Sequence, residues 1–509
     1  MTQEPIFAYV IIGSGASGAA VANRLTADPD LRVLLLEAGA PATHPGIADL
    51  TGFVALWGSE FDWALGTEPQ PGMADRSLVI NQGKVIGGGT AINAMMYVRG
   101  NRQNYDMWNA LGADGWSHAD VLPAFKALED YAGGASAERG VGGPIPVVDC
   151  PDPVMRSEEF MVGATQIGYD GPYWDTNGAR QENGAGLLQF HIDPEGRRAS
   201  AATVFLDPIA DRPNLSVETG AHATRVLFEG GRAVGVEYLQ GGEVKRARAE
   251  REVVLSAGAL LSPKLLMLSG IGPADHLRAH GIDVLADLPG VGQNLQDHVQ
   301  LSVVYKRKTE APMTTLLTGN VLFLRTRDGA DAAPPDMQLN FTPSIPAPLA
   351  QALNLPFPAC IFLAVLVQPF SKGQVTLRSA DPLAAPVIDP TYLQQPADVQ
   401  AFVRAIETIR AIAQAPAFSD LNEAEVVPGA DADLEAFIRS QSSTLWHPAG
   451  TAKMGRDAMA VVDPQLRVHG VEGLRVADAS VMPTVTSGNT VAPAFMIGWR
   501  AAEMILADR

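Results

Sequence analysis

The sequence predicts an α/β protein of two interleaved domains, and three observations predict it. The chain opens as strand, glycine-rich turn, helix and second strand; its middle carries longer strands with period-two alternation; helical periodicity and a further short strand return near the C-terminus. A chain that leaves one unit and re-enters it reads as a Rossmann-like domain interrupted by an α+β domain on a mainly antiparallel sheet. Residues 1–150, 214–300 and 448–509 are assigned to the first, and 151–213 and 301–447 to the second. The length of 509 residues fits two or three domains at roughly 150 residues each. A ligand is expected between them.

The opening unit is the most specific part. Ala8-Tyr9-Val10-Ile11-Ile12 reads as a buried strand and runs into Gly13-Ser14-Gly15-Ala16-Ser17-Gly18; Glu37 follows a second apolar run, Val33–Leu36. This is a GxGxxG turn between strand and helix with a carboxylate about twenty residues on. Gly13 permits the tight turn, Gly15 lets a pyrophosphate approach the backbone, and Gly18 lets the helix pack on the strand. Ala16 and Ser17 open the helix, whose N-terminus presents free N–H groups to phosphate. Glu37, followed by Ala38, is placed to accept from a ribose. These residues predict a dinucleotide and leave NAD and FAD undecided.

Further along, residues 40–82 form a polar, Gly/Pro-rich stretch, a candidate flap that includes Trp57 and Trp63. Short strands are expected at 215–217, 223–228, 233–239 and 252–256, then a helix at 262–268 opened by Pro263. Met337-Gln-Leu-Asn-Phe341 alternates strictly, as a half-buried strand does, and 372–378 is another strand candidate. Helices are expected at 397–414, 433–440 and 492–506, with a strand at 474–476.

Composition narrows the class. An apolar fraction of 47% fits a globular enzyme with a large core, and a net charge of −19 without a basic stripe argues against a nucleic-acid partner. Cys150 and Cys360 cannot make a disulfide framework, which suggests a reducing compartment. No secretory leader is read at the N-terminus. The most apolar run, 361–367, is far below the roughly twenty residues of a membrane span. A cytoplasmic enzyme is expected.

Three more segments carry a family resemblance. Gly83-Lys-Val-Ile-Gly-Gly-Gly-Thr-Ala-Ile-Asn-Ala-Met-Met-Tyr-Val-Arg-Gly100 resembles the first signature of the glucose–methanol–choline (GMC) flavoprotein oxidoreductases. Gly258–Pro273 resembles the second, and Trp446-His-Pro-Ala-Gly-Thr-Ala-Lys-Met-Gly455 the segment of the catalytic histidine. Val291–His298 and Leu474–Pro483 are also similar, so the matches run in family order from residue 8 to about 505. The resemblance implies FAD. It places Gly87, Gly88, Thr90, Asn93, Ala94, Met95 and Met96 along the pyrophosphate and flavin edge, and Asp478 and Ala479 at the pyrophosphate and ribityl end. Val226 would give adenine a backbone contact, and Trp446 and Thr490 would complete the cofactor set. Family members that hold FAD covalently do so through a histidine just before the signature asparagine; Ile92 occupies that position, so non-covalent FAD is expected.

Oxidising an alcohol requires a base for the hydroxyl proton, a donor for the developing alkoxide and a hydride acceptor. Among nine histidines, His447 aligns with the family's base, and Asn489 falls at its second catalytic position. An amide donates but is no base near neutral pH, so His447 is the base and Asn489 its helper. His276 and His280 read as an exposed helix face rather than a zinc site, and no metal is expected. Met337, Leu339, Phe341, Phe362, Leu366 and Trp446 are candidates for an apolar pocket, although core packing explains the first five equally. The expected reaction takes a primary alcohol, aliphatic or benzylic/heteroaromatic, to the aldehyde with hydride transfer to flavin N5. Oxygen or a quinone or other carrier is the electron acceptor. A choline-type enzyme, or a hydroxynitrile-lyase-like non-redox member, are the alternatives.

Overall fold

The computed structural model describes residues 4–508 apart from 313–315, 328, 330–332, 346 and 353. Its first sheet runs in the order His222–Glu229, Arg232–Gln240, Glu243–Leu255, Ile6–Ile12, Val33–Leu36, Leu215–Glu218, with Leu474–Val476 on the C-terminal part of Glu243–Leu255. Ile6–Ile12 lies parallel to both of its neighbours, and every residue after Ile6 is buried, as a central strand of aliphatic residues requires. The helix Ala16–Leu25 covers this strand and packs on the C-terminal helix Val491–Ala507. The contact is close because a Cβ added at Gly498 would stand 2.3 Å from the Ser17 carbonyl oxygen. Ser17 Oγ also donates to the Ala494 carbonyl at 2.6 Å. Segments from both ends of the chain thus build one layer.

The strand predicted at 252–256 begins earlier, at Glu243. Its first part, 243–248, is the antiparallel partner of Arg232–Gln240; residues 243–246 are exposed, and the charges of this stretch hide the strand pattern.

The second sheet is antiparallel throughout, in the order Asn422–Val427, Val299–Arg307, Ala359–Leu366, Met337–Thr342, Asn320–Leu324, Ala185–Leu187. Helix Pro396–Ala413 supplies Phe402, Ile406 and Ile409 to the core with Phe341 and Phe362. Met337, Leu339 and Leu366 join that core, so five of the six apolar pocket candidates pack the sheet instead. The alternation at 337–341 is real, but the half-buried reading is corrected: Gln338 and Asn340 are as buried as their apolar neighbours. Their face meets a cavity rather than solvent.

The helix-face reading of His276 is also corrected. It is half-buried, and its Nε2 accepts from the Leu377 N–H at 3.0 Å. Among the described residues no helix is long and apolar enough to cross a membrane.

Candidate active site

A cavity of about 820 Å³ runs from the glycine turn of the first sheet to the polar face of the second. It brings together Gly13, Gly15, Ala16, Ser17, Glu37, Ala38, Gly88, Thr90, Asn93, Ala94, Met95, Met96, Trp446, His447, Asp478, Ala479, Asn489 and Thr490. Trp57 and Trp63 of the flap candidate also line it. Gly18, Gly87 and Val226 do not. The Val226 N–H is taken by Ser269 Oγ at 2.9 Å.

The three fingerprint glycines differ in what requires them. Gly13 has φ +99°, and a Cβ there would stand 2.3 Å from the Ser256 carbonyl oxygen; at Gly18 it would stand 2.0 Å from that of Gly13. Both are dictated by packing. At Gly15 a Cβ would meet only the Gly88 Cα, at 4.0 Å, so the protein itself leaves that space open. Helix Ala16–Leu25 starts at this gap, and the N-terminus of Val491–Ala507 reaches the same cavity through Thr490 and Val491. Two sets of unpaired helix N–H groups, with their positive dipole ends, therefore face one space.

Glu37 is buried, and burial raises its pKa against the hydrogen bonds that oppose the rise. One carboxylate oxygen accepts from Ser14 N–H and Oγ at 3.0 and 2.6 Å, the other from Gly39 N–H at 2.8 Å. Ser14 Oγ in turn accepts from the Gly87 N–H at 3.3 Å, tying the fingerprint to the second glycine turn. Asp478 accepts from Gly258 N–H at 2.9 Å and Ser262 Oγ at 2.6 Å, which clamps the start of the second signature segment.

Asn93 is fixed from three sides. Its Oδ1 accepts from Met95 N–H at 3.0 Å and from Arg198 Nη1 at 2.7 Å; its Nδ2 stands 3.2 Å from His191 Nε2. His191 Nδ1 lies 2.7 Å from the Ala199 carbonyl, which can only accept, so Nδ1 carries the proton and Nε2 receives the Asn93 amide. Burial holds His191 neutral, pushing its pKa down to about 3, and brings the Arg198 guanidinium down to about 9. Nothing in the sequence singles out His191 or Arg198.

His447 follows a strained residue. Trp446 has φ +62°, held by its N–H to Thr444 Oγ1 at 2.8 Å and by its ring 4.7 Å from that of Trp57. The His447 N–H donates to Asp297 Oδ1 at 2.7 Å, while Thr444 and Tyr392 hydroxyls hold Oδ2. Burial raises Asp297 to about 6. His447 Nε2 lies 3.4 Å from Asn489 Nδ2, and Nδ1 lies 2.9 Å from Nδ1 of the fully buried His298. Desolvation pushes the His447 pKa down to about 3. Sequence reasoning missed Asp297 and His298 as site residues, although both close the family-like segment 291–298. Among the described residues no cluster of three or more His, Cys, Asp or Glu could hold a metal ion.

Residues 7–300 and 369–498 match the two family models described as GMC oxidoreductase. The chain is 38% identical to alcohol dehydrogenase [acceptor] of Pseudomonas putida, over 98% of this chain and 96% of that one. It is 40% identical to oxygen-dependent choline dehydrogenase of Brucella ovis, over 98% and 95%. In structure it resembles pyridoxine 4-oxidase from Mesorbium loti, with TM-score 0.89, 33% identity and 99% of each chain covered. A fungal aryl-alcohol oxidase superposes with TM-score 0.87 at 26% identity, over 100% of each chain. The open space at Gly15 and the two helix N-termini suit a dinucleotide in this cavity, and FAD is the group the family binds. The chain belongs to the GMC oxidoreductases and is an FAD-dependent oxidoreductase acting on alcohols.

Proposed function

We propose that the chain oxidises a primary alcohol to its aldehyde, with His447 Nε2 as base and Asn489 as donor to the oxygen. The observation that supports this reading is the setting of His447: one ring nitrogen meets Asn489 in the cavity and the other meets His298. FAD would be held by the cavity-lining residues of the two glycine turns, Gly13, Gly15, Ala16 and Ser17 with Gly88, Thr90, Asn93 and Met96, and would supply the hydride acceptor.

The protein's part is proton management. Burial holds His298 neutral, so its ring carries a single proton, and its Nε2 has no hydrogen-bond partner among the described residues. With that proton on Nε2, His298 Nδ1 accepts from His447 Nδ1–H, and the lone pair of His447 is left at Nε2. Burial keeps this imidazole neutral at pH 7. It then takes a proton when negative charge develops on the oxygen beside it, and the Asn489 amide steadies that oxygen. Trp57 and Trp446, their rings 4.7 Å apart, both line the cavity.

An anaerobic titration tests the reading. The yellow holoenzyme bleaches on addition of a primary alcohol from a panel; recolouring in air identifies an oxidase, and recolouring only with a quinone identifies a dehydrogenase. A flavin that no alcohol reduces contradicts the proposal.

A further inference from the structure

Across the cavity from the glycine turns, the second sheet presents an uncharged face, apolar at Ile361 and Leu363 on its middle strand and polar on the strands to either side. Gln338, Asn340 and Thr342 come from one strand and Gln300 and Ser302 from another, two strands away. The acids that line the cavity, Glu37 and Asp478, are on the opposite, first-sheet side, with oxygens engaged by the protein.

One amide on this face is oriented by its neighbours. Asn340 Nδ2 donates to the Asn320 carbonyl at 2.7 Å, and a carbonyl can only accept, so Asn340 Oδ1 must point the other way. That oxygen accepts from Gln338 Nε2 at 2.9 Å. The flip of Gln338 is thereby set, with Oε1 as its free end. Gln338 is 1% exposed, and Oε1 has no hydrogen-bond partner. A buried acceptor without a donor is costly to leave so.

Its distance from the histidines identifies what it can meet. Gln338 pairs with Val365, and Val365 with Gln300, on the strand that begins directly after His298. Two strand spacings, about 10 Å, separate the Gln300 and Gln338 backbones. The hydroxyl placed at His447 is thus not the donor for Gln338; a second group of the same molecule is.

We propose that Gln338 sets the substrate class: it accepts from an O–H or N–H at the far end of an uncharged alcohol, with Asn340 as its positioning residue. This deepens the alcohol-oxidation reading and rests on it. A quaternary ammonium alcohol such as choline has no second donor and meets no carboxylate on this face among the described residues.

The holoenzyme is assayed with 4-hydroxybenzyl alcohol, 4-methoxybenzyl alcohol and choline, as wild type, Gln338→Met and Gln338→Glu. The first two share ring electronics and differ in the donor. Wild type favours the hydroxy over the methoxy compound in kcat/KM by at least about tenfold, and both over choline. Gln338→Met brings that ratio near one through KM, the hydroxy compound losing more than the methoxy compound, whereas Gln338→Glu, which keeps an acceptor but loses the N–H that holds Asn340 Oδ1, recovers only part of the preference. Equal kcat/KM for the pair in wild type, choline as the best of the three, or an equal loss on both benzyl alcohols in Gln338→Met would overturn the assignment. No flavin reduction by any alcohol strikes the parent reading instead, and this one falls with it.

Discussion

His298 Nδ1 and His447 Nδ1 face each other at 2.9 Å, with their rings nearly perpendicular at 87°. Only one proton fits between them, so the tautomer of one ring decides that of the other. His298 is thus a positioning residue for His447 that does not touch substrate. His298→Ala is expected to lower the rate constant of flavin reduction by roughly 10–100-fold with KM little changed, the size of effect typical of groups that orient a reacting histidine. His298→Asn, which can offer an oxygen to the same N–H, recovers part of the loss. Single-turnover rates across pH check this; equal losses in both variants would point to packing alone.

Gly15 and Gly18 separate binding from folding. Gly15→Ala has room in the protein but fills the space reserved for pyrophosphate, so its apoprotein melts close to wild type while FAD affinity falls at least about tenfold. Gly18→Ala forces a Cβ against the Gly13 carbonyl and destabilises the apoprotein itself. Thermal melts with and without FAD, together with a fluorescence titration of FAD, tell the two patterns apart.

Ile92 is buried and lines the cavity where a covalent attachment would need a nucleophile. Acid precipitation of the holoenzyme is expected to leave the flavin in the supernatant. A yellow pellet that survives washing counts against the non-covalent assignment.

The fingerprint, both signature segments and the pairing of an α/β unit with a mainly antiparallel sheet were legible because they are local: glycine spacing and strand periodicity lie in consecutive residues. The partners of His447 were not. Asp297 and His298 stand 150 and 149 residues away, and a histidine among nine shows no sign of the ring that faces it. The alternation of Met337–Phe341 was legible too, but period two says only that the faces differ, not that the polar face meets a cavity. Asn93 was found by its motif, whereas Arg198 and His191, which hold it, carry no motif.

Acid stability follows from the buried imidazoles. An unfolded chain protonates histidine near pH 6.5, but His191 and His447 do so only near 3 in the fold. Between those values the unfolded state binds more protons, so stability rises with pH and is lost as pH falls below about 6.5, by on the order of 1 kcal/mol per pH unit for the fully buried His191. Asp297, raised to about 6, and Glu37, also raised by burial, work in the opposite sense, while His298, held well below 6.5 by burial, adds to the loss on acidification. The melting temperature is therefore expected to fall from pH 6.5 to 5; a flat or rising profile would show that the histidines titrate normally.

Whether His447 removes the hydroxyl proton is decided by stopped-flow reduction of His447→Ala under anaerobic conditions. The variant is expected to keep full FAD content and to show a reduction rate constant at least about 10²-fold below wild type, within the roughly 10²–10⁴ range of a lost general base. FAD-replete His447→Ala that is reduced at a near-normal rate would contradict that role.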